Sequence, residues 1–119
     1  MQSTRSKGKK SEEIALSYLE KNGFSIIDQN WHSGRYGEID IITKDLKTKE
    51  IVFIEVKSRY SSLEEAKELV TKNKQKQIFK LANIYIHLNK LEEKPCRFDV
   101  IAIKMSRDKV LLEHIRNAF

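Results

Sequence analysis

Two apolar, β-branched runs, GEIDII at 37–42 and IVFIEVKSR at 51–59, flank the polar stretch Asp45-Leu46-Lys47-Thr48-Lys49-Glu50. Such runs favour pleated strands, and so short a polar spacer joins them as an antiparallel hairpin. A turn at Leu46 to Lys49 sets Asp45 opposite Glu50. Counting outward then pairs Ile42 with Phe53, Asp40 with Glu55 and Glu38 with Lys57. Opposed residues share a sheet face, so Asp40 and Glu55 stand side by side on strands ~4.8 Å apart. A like-charge pair of this kind costs stability unless a cation or a proton lies between its members. Lys57 projects from the same face, ~6–7 Å further along the strand.

Two carboxylates and an amine on one face suit hydrolysis of a phosphodiester. A hard divalent cation, Mg²⁺ or Mn²⁺, takes oxygen ligands at ~2.1 Å and commonly uses one or two carboxylates, here Asp40 and Glu55. The cation acidifies water and offsets charge at phosphorus, while Lys57 positions the attacking water or stabilises the transition state. The competing reading is a surface ion-pair cluster, natural in a chain that is 34% charged. The acids interrupt otherwise apolar strands, which favours a site.

At 119 residues the chain holds one domain with a single core, expected over 11–119. Residues 1–10 carry Arg5, Lys7, Lys9 and Lys10 without periodic apolar positions, and are expected to be a mobile basic segment. With 23 Lys and Arg against 17 Asp and Glu, the net charge is +6 and favours a polyanionic partner. Cys96 is the sole cysteine, which excludes an internal disulfide and a cysteine-held zinc and fits a cytoplasmic location. No apolar run reaches the ~18 residues of a membrane span, so no membrane partner is expected.

Ile14, Ala15, Tyr18 and Leu19 recur at helical spacing, predicting a first helix from about Lys7 or Ser11 to Asn22-Gly23. Glu12 lies on its apolar stripe, where a carboxylate either caps the helix or faces the acidic pair. Phe24 to Asn30 reads as a first strand, followed by Trp31, His32 and a Ser33-Gly34 turn. Arg35, just before the acidic strand, either contacts phosphate or pairs with Glu38. From Ser62 to Asn89 there is neither Gly nor Pro, predicting one long helix or two with a break near Thr71 to Asn73. Lys74 continues the inward stripe of Ile78, Leu81 and Tyr85, and Gln75 starts the parallel row through Phe79 and Ala82. Both then reach toward a bound phosphate or water, unless Lys74 simply snorkels off the stripe. Lys67, Lys72, Lys76 and Lys80 give the helix a basic surface that suits a nucleic-acid backbone. Arg97 to Lys104 and Lys109 to Ile115 read as the last strands, with Asp99 either assisting the site or, as the simpler reading, in a buried ion pair with Arg97 or another base. His32, His87 and His114 lack partners at ligand spacing.

The sequence resembles the YraN-like bacterial family, placed with the PD-(D/E)XK nucleases and similar in shape to Holliday junction resolvases. The resemblance spans nearly the whole chain. It rests on Gly8, Glu12 and Ala15, GEIDII at 37–42, FIEVKSR at 53–59, Lys74-Gln75 with Ala82, and RFDV at 97–100. It implies metal-binding acids at Asp40 and Glu55, a first-helix glutamate at Glu12, a catalytic lysine at Lys57, and assisting roles for Lys74 and Gln75. Ile39 stands where the superfamily name has Pro. The implied fold is α/β, a restriction-endonuclease-like core in the order αβββαβ plus a short strand, with helices flanking a mixed central sheet.

Two functions are therefore expected. One is a Mg²⁺- or Mn²⁺-dependent endonuclease acting on branched or otherwise structured DNA, linked to repair or recombination. Asp40, Glu55 and Glu12 would hold the metal, and Arg35, Arg59, Lys72 and Lys76 would contact nucleic acid. The other is a nucleic-acid-binding protein that keeps the nuclease fold without physiological cleavage and acts through a repair or recombination partner. Resolvase-like enzymes cut two strands, which by analogy of fold implies a homodimer.

Overall fold

The computed structural model describes residues 4–59, 63–68 and 70–119. Helix α1 spans Thr4–Lys21 and is followed by strands β1 (Phe24–His32), β2 (Glu38–Asp45) and β3 (Ile51–Arg59). Helices α2 (Leu63–Glu68) and α3 (Lys72–Leu88) then lead to β4 (Cys96–Met105) and β5 (Val110–Ile115). The strands form one sheet in the order β1-β2-β3-β4-β5. Strands β3 and β4 pair in parallel and the other neighbours antiparallel, so the sheet is mixed. Parallel neighbours need a long crossover, and α2 and α3 provide it. This is the α/β arrangement expected of a restriction-endonuclease-like core.

Helix α1 begins at Thr4, earlier than expected, so the basic segment expected to be mobile is helical from that residue on. Residues 1–3 lie outside the described residues. Gly23 ends the helix with a φ of +87°, a conformation glycine takes without a Cβ penalty. Trp31 and His32, expected in a loop, belong to β1. Of the two alternatives for residues 62–89, the broken helix is correct. Thr71 explains the break: its side-chain oxygen accepts the Lys74 N–H at 3.2 Å, capping α3 as a separate helix.

The hairpin has the expected register, with Ile42 opposite Phe53 and Thr43 opposite Val52. Its turn is held by Asp45, whose Oδ1 accepts the N–H groups of Lys47 and Thr48 at 2.9 and 3.2 Å. Under α1, Ala15 and Leu19 pack on Ile41, Val52, Ile54, Val56 and Ile101. Under α3, Leu81, Ala82 and Tyr85 pack on Ile39, Ile42, Ile51 and Phe53. Strand β3 is thus apolar on both faces, as a strand covered on each side must be.

One end of the sheet carries a buried ionic network centred on Arg97. Its Nε donates to Asp99 Oδ1 at 3.0 Å, and Nη1 donates to Asp45 Oδ2 at 3.0 Å and Glu50 Oε1 at 2.7 Å. Asp99 also accepts from His114 Nε2 at 2.7 Å and from the Asn117 N–H at 3.0 Å. Tyr18 on α1 reaches the other ring nitrogen of His114 at 2.9 Å. The expected Arg97–Asp99 ion pair is therefore present within a wider network. Burial pushes the Asp99 carboxyl up, but hydrogen bonds from His114, Arg97 and Asn117 outweigh it and hold it below the usual range. Asp45 is lowered in the same way, with the Thr48 N–H, Arg97 and the Lys47 N–H opposing burial.

Asp99→Ala should cost about 3–5 kcal/mol, because it strands the buried guanidinium of Arg97. Urea unfolding of the two proteins side by side checks this. The lowered carboxyls also fix the acid limb: on acidification the unfolded chain takes up protons before the folded one. Their stabilisation should be complete above about pH 4 and fall away below it.

Candidate functional site

Strand β2 is pinned to β3 only as far as the pair Ile41 and Ile54. The next residue, Asp40, turns its own carboxylate to the neighbouring strand, and Oδ2 accepts the Val56 N–H at 2.8 Å. Alternation breaks here as well: Ile41 belongs to the cluster under α1, yet Ile39 belongs to the cluster under α3. On the far side, Asn30 lies between the Gln29–Ile41 and Trp31–Ile39 pairs and has a φ of +48°. Kinked backbone thus brackets Asp40 and frees its side chain from the regular face of the sheet.

Glu55 is buried in the central strand, its side chain 2% exposed. Lys57 from β3 and Lys74 from α3 place ammonium groups 3.5 and 3.4 Å from Oε2. The other oxygen, Oε1, is buried with no hydrogen-bond partner. An unmet buried acceptor costs about 1–3 kcal/mol, so its presence calls for an explanation. The Asp40 carboxyl lies close enough to Glu55 to share a proton with it, and no other donor among the described residues reaches Oε1. Burial pushes the Asp40 carboxyl up to about 9, and the charge and hydrogen bond of Glu55 add to the rise. The Val56 N–H and the charge of Glu12 act in opposite directions on top of this. Two buried acids side by side thus hold one proton between them, and a cation meets the same electrostatic demand.

Glu12 is near this pair but turned aside. Its Oε1 accepts from Asn30 Nδ2 at 2.7 Å. Burial raises its carboxyl; the Asn30 bond opposes that rise, and the charges of Glu38 and Glu55 add to it. Among the described residues no three His, Cys, Asp or Glu side chains converge closely enough to hold one ion. Of the three acids expected to hold a metal, Asp40 and Glu55 stand side by side and Glu12 is their charged neighbour. Gln75 donates its amide to the Val70 carbonyl at 3.2 Å and lines a pocket with Ile115, Phe119 and Val100, the strand neighbour of Glu55. The break between α2 and α3 leaves a carbonyl there that captures it.

Arg35, Lys72 and Lys76 are exposed, and the Arg59 backbone pairs with Lys104, its side chain lying outside the described residues. Sequence reasoning missed Gln77. Gly37, with a φ of +94°, packs so tightly against it that a Cβ would come within 2.9 Å of Gln77 Cδ. The available signal was a glycine two residues before the acidic strand's first isoleucine, three residues from Asp40.

The sequence model of uncharacterised protein family UPF0102 matches residues 11–103, which takes in both acids, both lysines and Glu12. The chain belongs to this family. A UPF0102 protein of Natranaerobius thermophilus is 44% identical over 119 residues, covering 97% of this chain and 98% of the relative. One from Clostridium perfringens is 44% identical over 111 residues, 91% of this chain and 88% of its own. One from Syntrophus aciditrophicus is 41% identical over 113 residues, 94% and 87% respectively. The UPF0102 match thus extends from α1 to β4 and spans every element that positions the acidic pair.

The raised Asp40 carboxyl has a stability consequence. Between about pH 4 and about pH 9 the folded protein keeps a proton that the unfolded chain has released, so this group's contribution falls as pH rises. Asp40→Asn, which still accepts from Val56 and can donate to Glu55, should melt a few degrees higher than the parent in EDTA. The gap should widen from pH ~5 to pH ~8, as read by thermal melts.

Proposed function

We propose that this protein is a metal-dependent endonuclease of the PD-(D/E)XK type, acting on branched or otherwise structured DNA in repair or recombination. The observation that carries this reading is the buried Glu55 carboxylate, with one oxygen unmet, beside Asp40 and flanked by Lys57 and Lys74. A structural ion pair needs no orphaned oxygen. Asp40 and Glu55 would hold a divalent cation such as Mg²⁺ or Mn²⁺, which when bound neutralises phosphate charge and acidifies water.

The protein's own groups do the rest. Lys57 and Lys74 are partly exposed, so their ammonium groups face both the acid pair and an incoming phosphate. Either can stabilise charge that develops on the phosphoryl oxygens. Asp40 is fixed through one oxygen by the Val56 N–H, and a bound cation would take the place of the proton it shares with Glu55. Exposed Lys72, Lys76 and Arg35 and the net charge of +6 attract the phosphate backbone. No helix of the described residues is long and apolar enough to cross a membrane.

One observation favours a second reading, nucleic-acid binding without cleavage. Both ammonium groups already sit on the same Glu55 oxygen and neutralise it. The two readings part in an assay on labelled four-way junction, flap, duplex and single-stranded DNA with Mn²⁺, Mg²⁺ or EDTA. The nuclease reading expects metal-dependent cuts that fall at least about 100-fold in Asp40→Asn and in Lys57→Ala, with binding kept. Cleavage that survives both changes would overturn the assignment, and tight binding without cuts would establish the second reading.

Replacing Lys72 and Lys76 by Ala should weaken binding to all sequences alike. Its salt slope should fall by about one for each phosphate that is no longer neutralised, measured as affinity against salt concentration.

A further inference from the structure

Along α3, Lys74, Gln77 and Lys80 fall three residues apart, each ~4.5 Å further along the axis. They touch three successive parts of one surface. Lys74 lies 3.4 Å from Glu55. The side-chain amide of Gln77 reaches Gly37, in the 33–37 loop between β1 and β2, and takes the space a Cβ would fill. Lys80 places its ammonium 3.8 Å from the centre of the Tyr36 ring.

Lys80 stands ~9 Å along α3 from Lys74, and the Tyr36 ring under its ammonium is next to exposed Arg35 and is itself 46% exposed despite the lysine. The aromatic packing of this part of the core is supplied by Trp31, Tyr85 and Phe53, so Tyr36 is not needed there. A large ring, fixed in place, exposed and flanked by cations is what an unpaired base stacks on. An unpaired strand extends further than the ~3.4 Å per nucleotide of a duplex, so ~9 Å corresponds to at most two or three nucleotides.

We infer that Tyr36, backed by Lys80, is a stacking platform for an unpaired base within two or three nucleotides of the phosphate held at Asp40 and Glu55. The inference rests on the reading of that pair as a phosphodiester site and deepens it. A base inside a duplex is already stacked on both faces and paired at its edge, so it gains little from the ring. The platform therefore selects nucleic acid that carries a single-stranded arm or gap beside the cleaved bond. Lys80 adds charge for the flanking phosphate and holds the ring.

The test uses the full chain in EDTA, titrated into a flap whose single-stranded arm carries 2-aminopurine at the second or third nucleotide, and into the same sequence fully paired. The parent protein should quench the 2-aminopurine in the flap. Tyr36→Leu should abolish that quench and bind the flap about tenfold more weakly, with duplex affinity unchanged, while Tyr36→Phe keeps both. Equal weakening on flap and duplex, or Tyr36→Leu behaving as the parent, would overturn the platform and leave the nuclease reading standing. A parent protein that binds neither DNA would overturn the nuclease reading and the platform with it. Thermal melts of the variants separate a folding defect from a missing stack, since removing the stack alone leaves the midpoint in place.

Discussion

Strand β3 is hydrogen-bonded on both sides and covered on both faces, and most of the molecule follows from that position. A strand so placed tolerates only apolar side chains, and Ile51, Val52, Phe53, Ile54 and Val56 comply. Its parallel partner β4 can be reached only by a long crossover, which brings α3 over the same face as Glu55. Glu55, charged within the buried part of the strand, is thus also the residue that receives a lysine from the crossover. The geometry that makes Glu55 costly is the geometry that equips it.

Among the described residues, two buried charged centres of the sheet are built on opposite principles. Around Arg97 nearly every donor meets an acceptor: Asp45, Glu50 and Asp99 take the guanidinium, and His114 and Asn117 complete Asp99. Such closure fixes β4, β5 and the hairpin turn relative to one another and leaves nothing for a ligand to do. Around Glu55 the closure is incomplete. One oxygen is crowded by two ammonium groups while its twin has none. That contrast, rather than the presence of charge, distinguishes scaffolding from a candidate site.

Much of this was legible in the sequence because short-range rules govern it. The hairpin register followed from spacer length and alternation, and it set Asp40 beside Glu55. What escaped was decided at longer range. The strands were expected to continue as a ladder through Asp40, but a carboxylate that takes the Val56 N–H ends the regular pairing one residue earlier. Glu12 lies on the predicted face, yet Asn30, in a kink that no local pattern announces, claims its carboxylate. Gln75 was placed by helical spacing alone, and the break at Thr71 decided that it would turn to Val70. Gln77 went unnoticed because its partner is a glycine in a distant loop, and a glycine marks a possible close approach without saying which side chain makes it.

The two pairings of β3 also differ in when they can form. Its pairing with β2 closes across a short turn, whereas its pairing with β4, which sets Ile51 beside Cys96, waits for both crossover helices. The pair of acids is thus a local product of the hairpin, and Lys74 a distant one. The hairpin alone would leave Asp40 and Glu55 open to water; the cover of that face and the second lysine both come with α3. The electrostatics of this centre therefore belong to the whole fold and not to the hairpin that carries its acids.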